Sequence, residues 1–125
     1  MKNTREIKFR AWDKILKRMS EVSCINNFDG LVILDETNYG HVTQKISDVE
    51  LVQFTGLLDK NGKEIYEGDI LKSAYNGNHP VVWRSGGWGL DHSGGCCKPW
   101  KGDLSGHHHM EEIIGNIYEN PELLK

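Results

Sequence analysis

The sequence predicts a mainly β protein: a small barrel of short antiparallel strands over about residues 55–120, preceded by an N-terminal strand and hairpin region. Three observations lead there. Apolar and polar residues alternate with the period of two that belongs to a half-buried strand. Turn signals punctuate the chain every ~8–12 residues, many of them carried by 14 glycines concentrated in the second half. The longest apolar run, Leu31-Val32-Ile33-Leu34, has the length of a strand rather than a helix.

The elements follow in order. Glu6-Ile7-Lys8-Phe9-Arg10-Ala11-Trp12 alternates strictly, with Ile7, Phe9 and Ala11 on one face and Lys8, Arg10 and Trp12 on the other. Asp13-Lys14 opens a turn, and residues 17–22 return as the hairpin partner. Asp29-Gly30 turns the chain into a buried strand over 31–34. Ser47-Asp48-Val49-Glu50 matches a helix capping box. Leu51-Val52-Gln53-Phe54-Thr55 is nonetheless β-branched and aromatic, and Gly56 leaves no room for a helix, so a strand is expected. Asn61-Gly62 marks a tight reversal, and residues 65–71 read as the next strand. Val81-Val82-Trp83-Arg84 and Trp88-Gly89-Leu90 flank Ser85-Gly86-Gly87 as a hairpin with aromatics on both arms. Residues 113–118 form a last strand. Asn120-Pro121-Glu122-Leu123-Leu124 then makes a short capped turn with Pro at its first position.

At 125 residues the chain fits one domain, 1–125, long enough to bury a core without staples. Nothing approaches the ~18 apolar residues of a membrane helix, and the N-terminus has no apolar secretory core, so a cytoplasmic address and no membrane partner are expected. Cys24, Cys96 and Cys97 make an odd count with no disulfide spacing, which suits reduced thiols. The net charge is −3, yet residues 1–18 carry seven basic side chains against Glu6 and Asp13. An acidic chain excludes a generally basic nucleic-acid binder and leaves only a local basic face for that purpose. Complementary basic and acidic segments, with open sheet edges, lead us to expect self-association.

Three segments carry a resemblance. They are Arg5-Glu6-Ile7-Lys8-Phe9-Arg10-Ala11-Trp12-Asp13, the stretch from Gln53-Phe54-Thr55-Gly56-Leu57 through Asp59 to Ile70, and Ile114-Gly115-Asn116-Ile117-Tyr118-Glu119-Asn120-Pro121-Glu122-Leu123. In this order they resemble the YopX family of Gram-positive bacteria and their phages. The resemblance implies a mainly β, phage- or prophage-encoded accessory protein of the host cytoplasm, and it hands over no catalytic residue. Gly68-Asp69-Ile70-Leu71 followed by the tryptophan hairpin is also similar to the barrel portion of SH3-like domains, an analogy of fold that assigns no function.

Candidate chemistry is sparse. Trp83 and Trp88, with Tyr66 and further support from Tyr75 and Trp100, offer an aromatic platform for a protein or nucleic-acid partner, against the ordinary role of such rings in a small core. Cys96, Cys97, His107 and His109, beside His92 and His108, have metal-ligand chemistry. Their spacing matches no zinc motif, and the surrounding glycines hold ligands poorly, so a solvated loop and no cofactor are expected. Cys24 lacks a neighbouring base and reads as a small buried side chain. The turn carboxylates Asp59, Glu64, Glu67 and Asp69 read as structural. The expected function is therefore a non-enzymatic binding or assembly module. A metal-dependent hydrolase built on the loop 91–110 and a purely structural homo-oligomer stand as alternatives.

Overall fold

The protein, represented by a computed structural model, is described over residues 6–36, 40–73, 77–84, 87–91, 100–101 and 111–124. The described residues form these strands: β1 (Phe9–Asp13), β2 (Arg18–Asn26), β3 (Leu31–Glu36), β4 (Gly40–Lys45), β5 (Val49–Leu58), β6 (Glu64–Tyr66), β7 (Asp69–Ser73), β8 (Gly77–Arg84), β9 (Gly87–Asp91), β10 (Trp100–Lys101) and β11 (Glu112–Asn116). The described residues also include short 3-10 turns at Ile46–Asp48 and Pro121–Leu124. No helix among the described residues is long and apolar enough to cross a membrane. Antiparallel ladders join β4-β3-β2-β1-β5-β6 in one sheet and β10-β9-β8-β7-β11 in a second. The chain divides into two compact units, Glu6–Gln53 and Phe54–Lys125, and β5 runs from the first into the second.

In the N-terminal unit, Ala11, Val32, Leu34 and Val49 form the core, with Val22, Ile25, Ile46 and Leu51 packed around them. Fully burying a side chain such as Leu34 contributes about 1.5–3 kcal/mol. β1 pairs Ala11 with Ser20 of β2 and with Leu51 of β5. The alternation expected from Ile7 onwards holds at Ala11, whereas Ile7 lies ahead of the strand and is 68% exposed.

A β-bulge shapes β2. Val22 faces Leu34, but Cys24 already faces Ile33, so Ser23 is an extra residue. One inserted residue exchanges the two faces of a strand. Ile25 therefore packs on the core along with Val22, and Cys24 is turned out and exposed. This corrects the expectation of a buried thiol, which assumed an unbroken period of two.

Asp13 ends β1 fully buried. Its Oδ1 accepts the backbone N–H groups of Ile15 (2.9 Å) and Leu16 (3.0 Å), which makes the Asp13-Lys14 turn. Its Oδ2 accepts Gln44 Nε2 at 2.9 Å. Gln44 belongs to β4, separated from β1 by β2 and β3 in the ladder, so the sheet of this unit is strongly curled. The capping-box residues give only the single 3-10 turn, without a side-chain cap, before β5 begins at Val49.

In the C-terminal unit, Ile65 of β6 packs with Leu71, Val81 and Leu90 of the second sheet, joined by Leu57, Trp88 and Ile113. The reversal at Asn61-Gly62 is present: Gly62 adopts φ +81° and its N–H donates to Asp59 O at 3.0 Å. The single strand expected over 65–71 is two strands separated by a turn at Gly68, φ +85°. There Asp69 Oδ2 accepts the Tyr66 N–H at 2.8 Å, which fixes the reversal.

The protein is mainly β, as expected. Closure into a barrel is not: among the described residues both sheets are open, with β4 and β6 at the edges of one and β10 and β11 at the edges of the other. Closure needs edge strands long enough to pair with one another. Here β6 has three residues and β10 two.

Candidate functional site

The β8–β9 hairpin builds an aromatic pair, one ring of which is exposed. Val81 faces Leu90, Trp83 faces Trp88 and Arg84 faces Gly87. Residues two apart share a face of a strand, so Val81, Trp83, Trp88 and Leu90 lie together on the core side of the hairpin. Val81 and Leu90 are sealed into the core and Trp88 packs against it. Trp83 sits two residues farther along β8 than Val81, on the same face, and remains 48% exposed.

The two indoles meet edge to face, with centroids 4.7 Å apart and planes at 68°. That arrangement matches the ring quadrupoles and is worth about 0.5–1.5 kcal/mol beyond area burial. Trp88 is thus a core-anchored prop and Trp83 the surface it holds out. A ring already fixed in place loses little conformational freedom on binding, and it covers apolar, aromatic or proline side chains well.

Tyr66 does not join this surface. It faces Phe54 across β5 and β6, their rings 5.4 Å apart and tilted by 37°, and it is 1% exposed. Its place opposite Phe54 puts the ring inside the unit, which leaves the platform to the two tryptophans. Tyr75 and the ring of Trp100 lie outside the described residues, as do Cys96, Cys97, His92, His107, His108 and His109. Among the described residues no three His, Cys, Asp or Glu side chains come together as metal ligands.

Of the turn carboxylates, Asp59 and Asp69 accept backbone N–H groups. Asp59 is buried, and its Oδ1 accepts the N–H groups of Asn61 (2.8 Å) and Lys63 (2.9 Å). Its Oδ2 accepts the N–H of Ile113 at 3.1 Å. Burial alone would push this carboxyl up. The donors on Ile113, Lys63 and Asn61, with the charge of Lys63, outweigh that and hold it below the usual carboxylate range.

Further bonds join the same regions. Lys60 N–H donates to Glu111 O and Ile117 N–H to Gly68 O, both at 2.9 Å. Asn116 Oδ1 accepts the N–H groups of Tyr118 (3.0 Å) and Glu119 (2.9 Å). The second and third family-like segments are therefore stitched into one structural seam. Asp59 and Ile113 lie 54 residues apart, and no local pattern in the sequence announces their meeting.

No curated protein matches the chain in sequence. Among solved structures it is similar to the crystal structure of protein EF1440 from Enterococcus faecalis, with 27% identity and a TM-score of 0.67 over 98% of this chain and 100% of that one. The model of the YopX protein family matches residues 8–125. With every described strand inside that match, the chain belongs to the YopX family.

Proposed function

We propose that the chain is a non-enzymatic binding module, a phage or prophage accessory protein that acts in the bacterial cytoplasm and docks a protein partner on Trp83. The observation that carries this reading is the half-exposed Trp83 indole propped edge-on by Trp88, 4.7 Å away. Tryptophan is the residue most enriched at the energetic centres of protein interfaces. A net charge of −3 disfavours a nucleic-acid backbone as partner. Among the described residues the site supplies contact area and no nucleophile, which fits recognition rather than catalysis.

The test compares the wild-type chain with Trp83→Ala in capturing proteins from phage-infected host cells. An identified partner is then titrated with purified wild type by tryptophan fluorescence. Binding that depends on Trp83 and alters indole emission supports the reading. Equal binding by both proteins, or an oligonucleotide as the species retained, refutes it.

A further inference from the structure

A sheet edge is a row of unpaired N–H and C=O groups, and soluble proteins blunt such edges with brevity, bulges, proline or charge. Among the described residues three of the four edges here are blunted. β6 has three residues and a shifted register against β5. β10 has two residues. β11 is broken by a register shift between Ile113 and Gly115.

The fourth edge is β4. Gly40–Lys45 pairs with β3 over six consecutive residues without a shift, from Leu31↔Lys45 to Glu36↔Gly40. It contains no proline, and Gly40, His41, Thr43 and Lys45 are exposed. Its one lysine, Lys45, stands at its end.

We propose that β4 is a homotypic docking edge, at which it pairs antiparallel with β4 of a second copy of this chain about a two-fold axis at Thr43. The occupant is identified by the side chains. With the axis at Thr43, the two Thr43 residues face each other, a favourable cross-strand pair. On the same face, Lys45 of each copy falls opposite His41 of the other. His41 Nδ1 lies 2.6 Å from Asp35 Oδ1, and Asp35 is the β3 residue directly beside His41. Each lysine thus meets a carboxylate, and the two-fold makes that match twice. On the opposite face Val42 meets Gln44. An isologous contact of this kind closes on itself and removes the open edge from both copies. The proposal is independent of the tryptophan surface, which lies in the other unit.

Light scattering and sedimentation of the full chain at micromolar concentration are expected to give twice the 14.2 kDa of one chain. Lys45→Glu sets like charges against each other at two places and is expected to weaken the dimer about tenfold or more. Asp35→Lys combined with Lys45→Glu restores the complementarity and with it the dimer. Thr43→Lys, which sets two cations at the axis, favours the monomer. Trp83→Ala leaves the mass unchanged, so failure here and failure of the partner-docking reading are distinguishable. Circular dichroism confirms that each variant is folded. A wild type that stays monomeric, a dimer indifferent to these variants, or a β4 that takes up only extended peptides of other sequence overturns the proposal.

Discussion

Asn120 folds back over Gly115 so closely that a Cβ built at position 115 would lie 2.5 Å from its Oδ1. The approach is organised by hydrogen bonds. Asn120 N–H donates to Asn116 O at 2.9 Å, and Asn120 Oδ1 accepts the Asn116 N–H at 3.3 Å. Gly115 is also where β11 changes register against β7, opposite Ile70. The missing side chain at 115 therefore lets the C-terminal turn close onto the strand.

Gly115→Ala is expected to destabilise the protein by about 1–3 kcal/mol, the cost of forcing a methyl group into occupied space. Asn120→Ala opens that space while losing its own hydrogen bond. The double substitution should accordingly cost less than the sum of the two single ones. Urea unfolding of the four proteins measures this, and strict additivity would show that the two positions do not meet.

Asp59 gives the protein an acid sensitivity of known sign. Its carboxyl is held lower in the folded chain than in the unfolded one, so unfolding takes up a proton once the pH falls below about 4. The stabilisation is fully present above that range and drains away as the pH drops through the folded value. Asp59→Asn replaces an acceptor with an N–H2 facing backbone donors, and a loss of about 1–3 kcal/mol is expected near neutral pH. The gap between the wild type and the variant should narrow in urea titrations as the pH falls below the ordinary carboxylate range. A gap that stays constant with pH would show that the carboxylate form is not what the three N–H groups hold.

How far the sequence revealed this molecule depended on whether a signal was local. β1, β5 and the β8–β9 hairpin were legible because alternation and turn residues lie within each element, and so was the presence of aromatics on both of its arms, though not the register that sets Trp83 opposite Trp88. β4 was missed because Gly-His-Val-Thr-Gln-Lys mixes one apolar residue with polar ones at an edge, where little burial is required. β6 and β7 read as one strand because the break at Gly68 depends on Asp69 capturing the Tyr66 N–H. The burial of Tyr66 depends on Phe54 across the sheet, a contact that composition does not encode. The seam from Asp59 to Ile113 is a relationship between distant segments and has no signature in either alone.

The two tryptophans should separate stability from recognition. Trp88 packs on the core while Trp83 is half-exposed. Trp88→Ala is expected to cost about 2–4 kcal/mol, part of the price of emptying a large core position. Trp83→Ala should cost about 1 kcal/mol, mostly the ring pair and partial burial, while abolishing partner capture. Thermal and urea unfolding alongside binding would check both. Comparable stability losses at the two positions would mean that Trp83 is a core residue and not a docking surface.

Cys24 tests the bulge in β2 directly. With an uninterrupted strand, Cys24 would share the inward face of Val22 and be shielded from solvent. The extra residue at Ser23 exchanges the faces, which turns the thiol out and brings Ile25 in. In a chain carrying Cys96→Ser and Cys97→Ser, a thiol reagent such as an aromatic disulfide should titrate one group in the native protein at a rate close to that in denaturant. Deleting Ser23 should restore the plain alternation, withdraw the thiol from the reagent and place Ile25 outside. Because that variant also loses core packing at Ile25, its unfolding midpoint must fall as the native thiol slows. A native thiol that reacts only on unfolding in the bulged protein would place Cys24 inside, and the register of β2 against β3 would then be wrong.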